Sequence, residues 1–296
     1  VRGDVQERSF AVSGRGLLVG TITLCCRSPS SNRRGSAMTT IIFVHGMFQN
    51  PKSWTRWGEY FSRHGFECVV PAWPLHDGDP AELRESPPPG LGELSLDDVV
   101  ATMQRIVGNY DRPVMIGHSV GGLVTQLLVA KGLLSAGAAI SSVAPNRMLE
   151  FDWGFIKNAA IIANPLMGDE PVFMDAKTFH RSFANSLSRA DAALAFEETA
   201  THDSRNVLRD CMGGAGRIDL ECPHAPLLLI GGERDEIIPS ELNEKNYKAY
   251  KDVGSVTDFL NYPGRSHFIC NEPGWEEVAG FVYQWVERNT AGRPAI

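Results

Sequence analysis

The stretch Arg112–Ala130, RPVMIGHSVGGLVTQLLVA, decides the fold. Its apolar run Val114-Met115-Ile116 stops at Gly117. His118, Ser119, Val120, Gly121 and Gly122 follow, and apolar residues then resume at helical spacing. Read as strand, sharp turn and helix, the segment puts Ser119 on the corner, inside the pattern Gly-x-Ser-x-Gly. The glycines have a steric reason. On so tight a corner the backbone is strained and neighbouring side chains collide. The corner presents the serine hydroxyl and sets the Val120 N–H at a helix start, where the dipole favours negative charge. The competing reading is a glycine-rich turn with an incidental serine. The strand before and the helix after favour a nucleophile.

Working outward, strands and helices alternate from Thr39 onward. TIIFVHG, FECVVPAWP, PVMIG, AAISSVAP, APLLLIGG and TDFLNYP read as strands. Between them, SWTRWGEYFSRHG, the stretch Ser95–Tyr110 with Ser95 as cap, SELNEKNYKAYKDVG and Gly274–Arg288 read as helices. This alternation predicts an α/β fold with a mostly parallel sheet between helices, and the near-continuous apolar strands fit burial on both faces. After Pro145 the alternation stops. Residues 146 to 222 show helical patterns only and read as a helical cap between two core parts, 38–145 and 223–296. Residues 1–37 read as an N-terminal hairpin around Gly14-Arg15-Gly16, or as a partly disordered extension before Met38.

A serine hydroxyl needs a base, and the base an orienting acid. After such an elbow the acid and the histidine follow in chain order on loops after later strands. Asp235 follows PLLLIGGER, with Glu233 and Glu236 as rivals and Asp152 as an outside alternative. His267 follows TDFLNYPGRS. Each of the other histidines reads as a surface or hydrogen-bonded residue rather than as the base. Among them, His45 makes a structural hydrogen bond in the His-Gly turn. A second oxyanion donor is expected after the first parallel strand, in VHGMFQN. The backbone N–H of Met47 is the expected donor beside that of Val120, with Phe48 as the fallback.

On these residues the chain resembles the α/β-hydrolase fold superfamily, in its serine esterase and lipase-like form. His45-Gly46-Met47, Gly117 to Gly122, Asp235 and His267 carry the resemblance, over about residues 39 to 290. It implies a central sheet of about eight strands, the first two drawn from residues before Met38, which favours the hairpin. Members that attack carbon–halogen bonds or epoxides carry aspartate at the elbow, so Ser119 points to acyl chemistry. The implied reaction is two-step acyl transfer through Ser119, His267 and Asp235, with no metal and no organic cofactor. Alternatives on the same three residues are a lyase, such as cyanohydrin cleavage, and carbon–carbon bond hydrolysis. A non-catalytic small-molecule receptor is the alternative of another class.

The cap sets the substrate. Phe151, Trp153, Phe155, Ile156, Phe173, Phe179 and Phe183 make it apolar and aromatic, which suits a small to medium lipophilic ester, lactone or thioester. Trp153 and Phe155, with Phe48 and His118 from the core, are the expected substrate-binding side chains. Trp73 and His76 are a candidate further wall.

Composition narrows the setting. At 296 residues with 43% hydrophobic content, the chain can bury one large core with an insertion. A net charge of −7 argues against nucleic acid as the partner. The six cysteines form no CxxC pair, which fits reduced thiols and a cytoplasmic location. No apolar run reaches the roughly 18 residues of a membrane span. RGLLVGTITLCC is apolar, but Asp4 and Glu7 precede it and no clear cleavage site follows, against a signal peptide. A monomer or homodimer is expected.

Overall fold

In the computed structural model, which describes residues 21–23, 38–146, 148 and 168–290, the apolar runs become strands of one sheet. They are β1 (Thr21–Thr23), β2 (Thr40–Val44), β3 (Glu67–Pro71), β4 (Val114–His118), β5 (Ala136–Ile140), β6 (Leu227–Gly232) and β7 (Thr257–Tyr262). The helices of six residues or more are α1 (Thr55–Arg63), α2 (Pro80–Glu85), α3 (Leu96–Val107), α4 (Val120–Ala130), α5 (Arg189–Thr199), α6 (Arg205–Cys211), α7 (Ser240–Ala249) and α8 (Trp275–Thr290). The strand order is β1-β3-β2-β4-β5-β6-β7. β2 to β7 run parallel, and β1 pairs antiparallel with β3, Thr21 opposite Pro71.

The fold class is the expected one, with seven strands among the described residues rather than about eight. Of the expected N-terminal hairpin, Thr21–Thr23 is the described piece; its Gly14-Arg15-Gly16 turn lies outside the described residues. β5 begins two residues before the expected Ala138, at Ala136. Alanine and glycine carry little strand signal. Here tertiary pairing places them, Ala136 opposite Val114 and Gly137 opposite Met115.

Alternate residues of the parallel strands face opposite cores. Ile42, Val44, Met115, Ala139, Leu227 and Leu229 pack with α3, α4 and α7. Ile41, Phe43, Ile116, Ala138, Leu228 and Ile230 pack with α1 and α8. On the second face Phe43, Trp54, Trp57 and Phe61 form a ring cluster. The indole N–H of Trp57 donates to the Cys270 carbonyl at 2.7 Å. α4 is buried from Val120 to Val129, as a helix apolar all round must be. Ser95 caps α3 in a capping box with Asp98, as its sequence predicts.

Chain direction along the sheet reverses between β2 and β4. The chain leaves β2 for β3 on one side, then returns to β4 and β5 on the other. At such a switch point the loops beyond the strand ends diverge and leave a crevice. His45-Gly46-Met47 follows β2 there, and Ser119 follows β4.

Between β5 and β6 the regular structure among the described residues is helical apart from one bridge, Val172 with Asp203, with turns and loops between the helices. This segment docks on the core at polar points. Arg84 of α2 donates to the Ala200 carbonyl at 2.8 Å, and Asp210 of α6 accepts the Leu96 N–H at 3.0 Å. Cys68, Cys211 and Cys270 are buried free thiols and Cys222 is an exposed one; Cys25 and Cys26 lie outside the described residues.

Candidate active site

Ser119 sits between β4 and α4 with φ 55° and ψ −120°, in the left-handed region that a side chain rarely adopts. The corner is held by its own backbone. The Ser119 N–H donates to the Ile140 carbonyl at 3.0 Å, and the Ser119 carbonyl accepts from Gly122 and Val143 at 3.0 and 3.1 Å. A methyl group on Gly121 would stand 2.3 Å from the Val44 carbonyl oxygen and 2.4 Å from that of His45. Only glycine lets α4 start so close to the end of β2, and that closeness puts the His45-Gly46-Met47 loop beside Ser119. Ser119 is 7% exposed, so its hydroxyl is less open than the elbow alone implies.

β6 and β7 deliver the acid and the histidine. Asp235 Oδ2 lies 2.8 Å from His267 Nδ1, and both residues are buried. Asp235 Oδ1 accepts the N–H groups of Ile237 and Ile238 at 2.8 and 2.7 Å. The rivals Glu233 and Glu236 are exposed, and Glu233 accepts the Gly264 N–H instead. Asp152 lies outside the described residues. His267 Nε2 is buried without a hydrogen-bond partner among the described residues, and no bond joins it to the Ser119 hydroxyl. Such bonds are commonly long in ligand-free sites.

The loop after β2 lies against the elbow. A Cβ on Gly46 would meet Ser119 Cβ at 2.7 Å and Ser119 Oγ at 3.3 Å. The next N–H, that of Met47, has no partner among the described residues. Val120 opens α4, so its N–H is one of those a helix leaves unpaired. The fallback donor is removed: the Phe48 N–H donates to Asp203 Oδ2 at 2.8 Å. His45 is structural, as expected. Its Nδ1–H donates to the Gly46 carbonyl at 2.9 Å, and its Nε2 accepts the Trp73 N–H at 3.2 Å. Burial, then His76 nearby, holds its pKa well below the ordinary imidazole range.

His118, an expected substrate-binding residue, donates its Nε2–H to the His267 carbonyl at 2.8 Å, with the two rings 4.6 Å apart. Burial and then the neighbouring His267 push its pKa well down, so it serves as a neutral clamp on the His267 loop. Glu272 is a second support, and its place was not foreseen. Its carboxylate accepts from Ser266 Oγ at 2.7 Å and from Ser186 of the segment between β5 and β6. Trp73 and His76 form no open wall. Both are about 1% exposed, with Trp73 stacked on His45 at 4.6 Å.

Gln49, Trp54, His118, Phe183, His267 and Phe268 line a cavity of about 10 Å³, room for roughly one water molecule. Phe48 is buried in the core around α4, while Trp153 and Phe155 lie outside the described residues. Among the described residues no group of three or more His, Cys, Asp or Glu is placed to hold a metal ion. No described helix is long and apolar enough to cross a membrane.

Residues 41–280 match the family described as "Alpha/beta hydrolase family". Among solved structures, a monoacylglycerol lipase from Paleococcus ferrophilus is similar at 21% identity and TM-score 0.62, covering 84% of this chain and 94% of that one. A methylesterase from Arabidopsis is similar at 12% identity and TM-score 0.61, covering 85% and 100%. A putative non-heme bromoperoxidase from Mycobacterium tuberculosis H37Rv is similar at 15% identity and TM-score 0.63, covering 87% and 95%. No curated protein matches the sequence.

Proposed function

This chain belongs to the alpha/beta hydrolase family, and from that premise we propose that it is a serine hydrolase of small to medium lipophilic carboxylic esters, lactones or thioesters. One observation carries the reading. A buried carboxylate, fixed by two backbone N–H groups, holds Nδ1 of a histidine whose Nε2 has no hydrogen-bond partner among the described residues, next to a strained serine corner.

In the first half-reaction His267 Nε2 takes the Ser119 proton as Oγ attacks the carbonyl carbon. Asp235 fixes the tautomer with its proton on Nδ1 and balances the imidazolium that forms. The carbonyl oxygen becomes an oxyanion between the N–H groups of Met47 and Val120, and the start of α4 adds its dipole. His267 then protonates the leaving group, which departs and leaves Ser119 acylated. In the second half-reaction His267 deprotonates a water that attacks the acyl-enzyme, and collapse of that intermediate returns the proton to Ser119.

Residues 146–222 act as the cap in this reading. Phe183 stands edge-on to His267 at 4.8 Å, and Phe179 and Phe268 pack beside it, an apolar wall that suits a lipophilic acyl or alcohol group. The fold is one that a lipase and an esterase also use.

Nitrophenyl esters of increasing acyl length test the reading, with Ser119→Ala as control. Turnover that peaks at one chain length and vanishes in Ser119→Ala is expected. Equal turnover by Ser119→Ala would overturn it.

A further inference from the structure

Asp203 is fully buried and reaches the oxyanion loop from a distant part of the chain, the segment that precedes α6. Its Oδ2 accepts the Phe48 N–H at 2.8 Å, and its Oδ1 accepts the Ser204 N–H at 2.7 Å. The other backbone group of Phe48 is held by the same segment, its carbonyl accepting the Thr201 N–H at 3.0 Å. Phe48 itself has φ 61°, a conformation a bulky residue holds only when its surroundings impose it. Its neighbour is Met47, whose N–H is the proposed oxyanion donor.

A buried carboxylate needs a counter-charge, and His76 of the β3–α2 loop supplies it. His76 Nε2 lies 3.4 Å from Asp203 Oδ2, an ion-pair distance, and His76 Nδ1 lies 2.9 Å from the Pro74 carbonyl. His76 Nδ1 faces a carbonyl, and Nε2, which makes no hydrogen bond among the described residues, lies within ion-pair reach of a carboxylate; both oxygens only accept, so the ring fits best with a proton on each. Burial opposes that charge, while Asp203 and the carbonyls of Pro74 and His202 favour it and raise the pKa on balance. The adjoining His45 ring, 5.5 Å away, is neutral and does not compete.

We infer that Asp203, charge-balanced by His76, is a positioning residue of this site: it fixes Phe48 in the left-handed conformation and thereby aims the Met47 N–H at the oxyanion. The pair joins three segments, the loops after β2 and β3 and the segment before α6. The catalytic half of the inference rests on the hydrolase reading; the structural half does not.

The test uses the full chain with Asp203→Asn and His76→Gln, compared with the unaltered protein. In Asp203→Asn the amide oxygen can still accept a hydrogen bond but the charge is gone. The expected result is a folded protein whose kcat on a nitrophenyl ester falls about ten- to a hundredfold, with KM nearly unchanged, because a donor is misplaced and not removed. The rate of labelling by a fluorophosphonate falls in parallel, since phosphonylation builds charge on the same oxygen. Loss confined to KM, or kcat and labelling within about twofold of the unaltered protein, overturns the inference. NMR supplies the readout free of activity. His76 should carry protons on both ring nitrogens at neutral pH, and the Phe48 amide signal should move in Asp203→Asn. A neutral His76 ring, or an unmoved Phe48 amide, overturns the inference even if neither variant folds well enough for kinetics. If no ester is turned over and no label is taken up, the hydrolase reading fails, and the NMR result decides the pairing by itself.

Discussion

His267 Nδ1 stands 2.8 Å from Asp235 Oδ2, while the other oxygen of that carboxylate takes the N–H groups of Ile237 and Ile238. The acid is therefore held by two backbone N–H groups on one oxygen while the other orients the ring. Asp235→Asn keeps the shape but puts an amide in place of the anion, which permits the wrong imidazole tautomer. We expect kcat to fall by about 10⁴ with a much smaller change in KM. Steady-state ester hydrolysis checks this. Glu233→Gln, on the exposed rival, should leave kcat within about twofold.

The elbow's glycine is a steric requirement. Gly121→Ala would drive a methyl into the carbonyl oxygens of Val44 and His45, at 2.3 and 2.4 Å, and neither is a flexible side-chain end. Overpacking of this kind costs about 1–3 kcal/mol or more. Urea denaturation should show that loss, together with loss of activity because the oxyanion loop is displaced. Gly65→Ala is the contrast. It lies in open space at φ +90°, so it should cost about 1 kcal/mol and leave activity intact.

Ser95→Ala removes one half of the capping box at the start of α3, a bond confined to that helix's first turn. About 1 kcal/mol of stability should be lost in a denaturant titration. Ester turnover at saturating substrate should not change.

Acid sensitivity follows from the buried imidazoles. The folded chain keeps His118 and His45 neutral, below the ordinary value of 6.5, by burial and nearby rings. The unfolded chain binds protons there first. Their contribution to stability is thus complete above pH 6.5 and is lost as the pH falls toward their depressed folded values. His76 runs the other way. Its raised pKa gives stability that is complete below 6.5 and is lost as the pH rises through the folded value. Replacing His118 by Gln should therefore flatten the decline in stability between about pH 7 and pH 5, by up to about 1.4 kcal/mol per unit. Urea midpoints across that range check it. An unchanged slope would remove His118 from the account.

The elbow, Asp235, His267 and the Ser95 cap were legible because each is a local signal. A glycine pattern, an apolar run ending in a charged turn, and a serine before an acidic first turn all declare themselves within a few residues. Asp203 and Glu272 were not. Asp203 meets Phe48 across 155 residues, and Glu272 meets Ser186 across 86, so no window of sequence joins the partners. That the His118 ring bonds to the His267 carbonyl was likewise hidden, since 149 residues separate the two. The early start of β5 was hidden for a related reason. Gly137 is small because α4 packs on it, a Cβ there meeting Val129 Cγ2 at 2.7 Å, while Ala136 faces the opposite core, and small residues do not announce a strand.

If Ser119 is the nucleophile, it should take a covalent label from an electrophile that mimics an ester. The folded protein is incubated with a fluorophosphonate probe and the adduct is mapped by peptide mass spectrometry. One adduct per chain is expected, on Ser119, absent from Ser119→Ala and formed far more slowly by His267→Ala. An adduct on another residue, or none on Ser119 in a folded sample, would contradict that role for Ser119.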